Sequence, residues 1–256
     1  MATSFFQPLE EGRWQATAHT IGPWDERFQH GGPPSALLGR AIEQAAPREE
    51  MLVARMTVEI LGPIPVGDLE IRAAVVRPGR SVELVEAVLS ADGRDVARAS
   101  AWRVLRTEAS AIPSRHQAPP PLPDEASEMK HDWVDGYLSA IEWRFARGQF
   151  MERGPAAAWT RMRVPLVPDE EPSPLQRVLV VADSGNGISS ELNMLKWHFI
   201  NPELTVHVHR EPVGEWICLD ATTTISTAGA GLATSVLSDL DGPVAVGAQS
   251  LLVARR

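Results

Sequence analysis

The chain has one cysteine, Cys218, among 256 residues. A single thiol cannot close an intrachain disulfide, so the fold rests on its core, as suits a reducing cytosol. No apolar run approaches the roughly 18–20 residues that a membrane-spanning helix needs. The opening MATSFFQPLEEGRW lacks a basic start followed by an apolar stretch, so it does not read as a secretory signal. Basic residues are in deficit, with a formal net charge of −9, which disfavours a nucleic-acid partner. What is present, 44% hydrophobic and 22% charged residues, is enough to build a core. The expectation is an acidic, cytoplasmic protein.

Residues 107–131, TEASAIPSRHQAPPPLPDEASEMKH, lack apolar periodicity and are rich in Pro, Ser and charge. Pro119–Pro121 can continue neither a helix nor a central strand. The segment reads as a Pro-rich connector between an N-terminal unit, 1–106, and a C-terminal unit, 132–256. The two units resemble each other. IPVGDLEI (64–71) matches EPVGEWIC (211–218), with Pro65 and Pro212 spaced by 147. EAVLSADGRDVARA (86–99) matches TSVLSDLDGPVAVG (234–247), with Val88 and Val236 spaced by 148. Two matches in one order at nearly one spacing indicate duplication of a single unit, and two copies are too few for a solenoid.

Within the units, LEIRAAVV, VELVEAVLSA and DVARASAWRVLR, then LTVHVHR, WICLDATTTIS, GLATSVLSDL and VAVGAQSLLVA, alternate as half-buried strands do. One helix precedes each run. HGGPPSALLGRAIEQAA places Leu37, Leu38, Ala41, Ile42 and Ala45 on one face, with Pro33 or Pro34 in the first turn. PSPLQRVLVVADSGNG offers Ser173 as N-cap, Pro174 in the first turn, and Gly185 and Gly187 as the stop. This second helix ends an apolar run on Asp183. A carboxylate there costs free energy unless something compensates it.

A helix followed by a meander, duplicated in tandem, resembles the double hotdog plan, an α+β fold of two tandem hotdog units, each a long helix wrapped by an antiparallel sheet. The stretches GPWDERFQHGGPPSALLGRAIE (22–43), LVVADSGNG (179–187), NPELTVHVHREPVGEWICLDA (201–221) and DGPVAVGAQSLLVAR (241–255) are similar to those of the acyl-CoA thioesterase II-like family of that fold. The resemblance implies hydrolysis of an acyl-CoA by a water that an Asp, a Thr or Ser, and a Gln position. It carries the Asp to Asp183 and the Gln to Gln249. The Thr position falls on Asn201, with Thr205 as the fallback; Asn for Thr is a departure, although an amide can also hold a water. No metal and no redox cofactor are implied.

At the C-terminal end of its helix, Asp183 faces the negative pole of the macrodipole; dipole and burial both favour a raised pKa and a stronger base. Gly31 and Gly32, ahead of the first-unit helix, offer backbone N–H groups to a developing oxyanion. His30 is expected near the ligand. Two readings compete. Asp25 and His30 in DERFQH share the D-x4-H spacing of hotdog hydratases, without the Asn-Pro inside the interval. Alternatively, the chain binds acyl-CoA as a scaffold with weak catalysis, a reading that Asn201 supports. His207 and His209 lack a third metal ligand in sequence. Exposed strand edges leave a homo-oligomer open.

Overall fold

The computed structural model describes residues 4–107, 117–127 and 136–256. The N-terminal half contains β1 (Phe6–Glu10), β2 (Arg13–Ala16), the helix α1 (Gly32–Gln44), β3 (Met51–Ile60), β4 (Asp68–Arg77), β5 (Val82–Ala91) and β6 (Arg94–Leu105). The C-terminal half contains a helical turn α2 (Tyr137–Ala140), β7 (Ile141–Arg147), β8 (Ala156–Met162), α3 (Pro174–Ala182), a turn α4 (Gly185–Ile188), β9 (Trp197–Ile200), β10 (Glu203–Val208), β11 (Ile217–Ile225), β12 (Ala230–Asp239) and β13 (Gly242–Arg255). Alternation sets the faces. In β5, Val85, Ala87 and Leu89 turn inward while Glu86 turns to solvent.

Each half lays its strands in one order. The first half runs β1-β2-β4-β5-β6-β3, and the second repeats it as β7-β8-β11-β12-β13-β10. All pairings are antiparallel, and β3 pairs with β10, so the halves share one continuous sheet. Thr57 and Thr205 face each other at that seam, their hydroxyl oxygens 3.1 Å apart and their positions 148 apart in sequence. The offset of the internal repeat is thus the offset across the seam, as a local two-fold relation demands.

Helices α1 and α3 pack on each other and on the sheet. Their apolar faces, including Leu37, Leu38 and Ile42 on α1 and Leu175, Val178 and Leu179 on α3, are buried. Burial of each such side chain is worth roughly 1.5–3 kcal/mol. Ser173 caps α3 by accepting from the Gln176 N–H at 3.2 Å. The start of α1 has no side-chain cap; its first amides go elsewhere.

Three expectations change. The segment MLVARMTVEI, not read as a strand, is the seam strand β3. Two strands, which the sequence reading did not place, precede the helix in each half. Finally, Gly185 and Gly187 do not stop α3: it ends at Ala182 with Asp183 in a right-handed conformation, and Gly185–Ile188 form another turn. Of the 107–131 connector, positions 108–116 and 128–131 lie outside the described residues. The stretch 117–127 carries neither helix nor strand and runs along the C-terminal half, with the Trp159 indole donating to the Pro120 carbonyl at 3.0 Å. Among the described residues no helix is long and apolar enough to cross a membrane.

Candidate active site

Asp183 is 5% exposed at the end of α3. Its carboxylate is surrounded by neutral donors. The Asn201 side-chain amide donates to Oδ1 at 2.8 Å and to the Glu203 carbonyl at 3.1 Å. The Gln249 amide, from the middle of β13, donates to the Asp183 carbonyl at 3.0 Å and to Oδ1 at 3.2 Å. Gln249 is itself fixed, because its Oε1 accepts from the Asn186 N–H at 3.1 Å. The Gly31 N–H, at the start of α1, is a further donor to the carboxylate. A Cβ on Gly31 would lie 2.6 Å from Asp183 Oδ2, and one on Gly32 would lie 2.1 Å from the Val180 carbonyl oxygen. Both positions must therefore be glycine for α1 to begin against the end of α3.

Burial raises the Asp183 pKa from 3.8 to about 6, against the lowering pull of Asn201, Gln249 and Gly31. Among the described residues no cation offsets the charge. His30 Nδ1 stands 3.6 Å from Asp183 Oδ2, but that nitrogen accepts the Gly32 N–H at 3.0 Å and so carries no proton. Burial also holds the His30 pKa down to about 3. Two approaching acceptors, rather than an ion pair, occupy this side. The His30 ring is stacked on Tyr137, with centroids 3.8 Å apart. Tyr137 donates to the Val180 carbonyl at 2.9 Å and meets Ser184 Oγ at 2.8 Å. Desolvation drives its pKa up, so the phenol stays protonated.

Asp183, Asn201, His30 and Gly31 line a cavity of about 470 Å³. Trp24, Phe28, Ile64, Leu138, Phe150 and Phe199 give it largely apolar walls. Such a space suits an apolar chain ending at a buried carboxylate.

The structure thus brings Asp183, Gln249, Asn201, Gly31 and His30 together, and it separates the rest. Thr205 lies at the seam, bonded to Thr57 and to Glu203 Oε2, and does not line the cavity. The amides of Gly31 and Gly32, expected as oxyanion donors, are directed to Asp183 and His30 in this structure. The Asp25–His30 partnership of the hydratase alternative does not form. Asp25 is gripped by the Arg27 side chain, with Nη2 to Oδ2 at 2.6 Å, and this pairing lowers its pKa to about 2. Tyr137, Ser184 and Asn186 escaped the sequence reading. Asn186 sits in a GNG stretch that signals only a helix end, and Tyr137 has no local motif around it.

Residues 20–104 match the family model described as the acyl-CoA thioesterase N-terminal domain, and residues 115–253 match that for the C-terminal domain. Solved structures of similar shape include a candidate thioesterase II from Thermobifida fusca (TM-score 0.75, 21% identity, covering 99% of this chain and 96% of that one). A protein of unknown function with a hot dog fold from Alicyclobacillus acidocaldarius gives 0.74 at 17% identity over 97% and 95% of the two chains. The acyl-CoA thioesterase II of Mycobacterium marinum gives 0.68 at 15% identity over 98% and 95%. Identities this low establish a shared hotdog architecture. No curated protein matches the sequence. Matched in both halves by its domain models, the chain belongs to the acyl-CoA thioesterase family and is a thioester hydrolase.

Proposed function

We propose that this hydrolase cleaves an acyl-CoA to the free acid and CoA, with Asp183 as general base. The observation that carries this reading is a buried carboxylate with a pKa raised to about 6, facing an apolar cavity and held, among the described residues, by neutral donors. Such a base is largely ionised at neutral pH and still strong enough to take a proton from water. In this mechanism Asn201 and Gln249 fix Oδ1, and Oδ2, on the His30 side, receives the water proton. The water oxygen bonds to the thioester carbon, the C–S bond breaks, and the departing sulfur takes up the proton from Asp183. His30 and Tyr137 shape the wall beside the base. In the same proposal the chain is two hotdog units, 1–106 and 132–256, each wrapping a helix, joined by the connector 107–131. The apolar walls of the cavity suit the acyl chain.

Asp183→Asn keeps the shape and removes the base. Turnover of an acyl-CoA panel, followed by thiol release, should fall by about 10²–10⁴-fold. Unchanged release removes Asp183 from the mechanism. Tight acyl-CoA binding without release by the unmodified protein would instead favour a scaffold role.

A further inference from the structure

In a chain of net charge −9, one corner of the sheet gathers cations that have no acidic partner among the described residues. β9 pairs with the end of β13, so that Trp197 faces Arg255. The Arg256 N–H donates to the Lys196 carbonyl at 3.1 Å, which ties the two strand ends together. Lys196, Arg255 and Arg256 are exposed there. Several other surface guanidinium groups are paired, Arg98 with Glu59, Arg72 with Asp95 and Arg106 with Glu211, while Arg77 lies over the Trp102 ring. Here, among the described residues, they lie over rings instead. Arg255 stands 5.3 Å from the Trp197 ring and Arg256 stands 5.4 Å from the Trp24 ring.

Trp24 connects this corner to the catalytic cavity, whose wall it forms. Its ring packs edge-on against Phe199 at 5.1 Å and tilts against His198 at 6.0 Å. Phe199, Leu251 and Val253 form a small apolar cluster that seats both Trp24 and Trp197. His198 Nδ1 is buried with no hydrogen-bond partner among the described residues. Asp25, beside Trp24 in the chain, is occupied by Arg27 and does not neutralise the patch.

Unpaired guanidinium and ammonium groups next to aromatic faces recognise phosphates attached to a flat base, through charge-assisted hydrogen bonds and stacking. An acyl-CoA has those groups at the end remote from its thioester. We propose that Lys196, Arg255 and Arg256, with Trp24 and Trp197, form the subsite for the phosphorylated nucleotide end of the substrate. The proposal rests on the acyl-CoA reading above and assigns its specificity for the carrier. Apolar walls take the acyl chain, and this basic rim takes the diphosphate, the 3′-phosphate and the adenine.

The test is the triple variant Lys196→Ala/Arg255→Ala/Arg256→Ala, all at exposed positions. Calorimetry with free CoA should show affinity weakened by about tenfold or more, since several charge-assisted contacts go together. In kinetics, KM for an acyl-CoA should rise by a similar factor with kcat nearly unchanged. KM for the same acyl group on pantetheine, which has no nucleotide, should not move. Equal CoA affinity in variant and unmodified protein overturns the proposal, even if hydrolysis proceeds. So does a loss confined to thioesters of an acyl carrier protein. Conversely, CoA binding that depends on this corner without thiol release upholds the subsite and sinks the hydrolytic reading alone.

Discussion

The two ends of the α1–α3 pair stand on equivalent rungs of the sheet and are built in opposite ways. Where α3 ends against the start of α1, Gln249 faces Ala233 across β12–β13 and reaches Asp183. At the other end, the equivalent rung pairs Val85 with Ala101, and Val53 stands in the place of Asn201. The polar trio is absent there. Charge enters two rungs along, on the same face, where Glu83 and Arg103 meet at 2.6 Å with their side chains 4% and 3% exposed. Arg103 also reaches the Ala45 carbonyl at the end of α1, and Arg48 closes on Glu83 at 3.3 Å. At the matching rung of the second half stand Gly231 and Leu251. Both ends therefore bury a carboxylate. One is neutralised by arginines; the other is left with amide donors and a neutral imidazole. In the proposed mechanism, withholding the counter-charge is what turns the same frame into a base.

Breaking the neutralised end should have the largest effect on stability. Glu83→Ala strands a buried guanidinium, so urea unfolding should show a loss of about 3–5 kcal/mol. Turnover per folded molecule should persist, because this end does not touch the cavity. Glu83→Met combined with Arg103→Met removes both charges and should return most of that loss. If the double variant is no more stable than the single, the pair is not what holds this end.

Exchanging the equivalent residues sharpens the contrast. Gln249→Ala releases Asp183 Oδ1 and leaves the Asn186 N–H unsatisfied. Steady-state kcat should fall by about 10²-fold, the scale of a lost oriented polar contact at a reacting group. Ala101→Gln buries an amide with no partner prepared for it and should cost about 1–3 kcal/mol of stability without affecting turnover. Equal losses of activity in the two variants would mean that the ends are not functionally distinct.

Because the base must be ionised, kcat/KM should be level at neutral pH. It should fall about tenfold per unit once the pH drops below about 6, the raised pKa of Asp183. A profile flat down to pH 5 would place the proton acceptor elsewhere.

Much of this contrast was legible in the residues. The repeat spacing of 148 reappears between the Thr57 and Thr205 hydroxyls. Ser173 caps the helix as its sequence suggests, and Asp183, Asn201 and Gln249 converge. What was illegible depends on contacts distant in sequence. β3 hid because its alternation slips at a bulge between Val53 and Arg55, which spoils the period of two. The end of α3 at Ala182 could not be read from its glycines, because the Asp183 carbonyl accepts from Gln249 rather than from the next helical turn. Likewise, nothing local to HGGPP reveals that the amides of Gly31 and Gly32 are already committed.

The smallest effect also tests why the second end is left without a cation. The folded-state pKa of Asp183 lies above its ordinary 3.8, at about 6. The folded protein therefore holds this proton more tightly than the unfolded chain does. The penalty of the bare charge is fully present above pH 6 and disappears as pH falls toward 3.8. Asp183→Asn removes that penalty at neutral pH, but its NH2 group meets the Gly31 N–H, so the net gain should be about 1 kcal/mol. In a chain of this length that is a rise in Tm of about 2–4 °C. The advantage should be present at pH 8 and should vanish or reverse near pH 4. A variant less stable than the parent at pH 8 would mean that the amide donors already repay the burial of the charge. The two ends of the helix pair would then differ in geometry rather than in electrostatic cost.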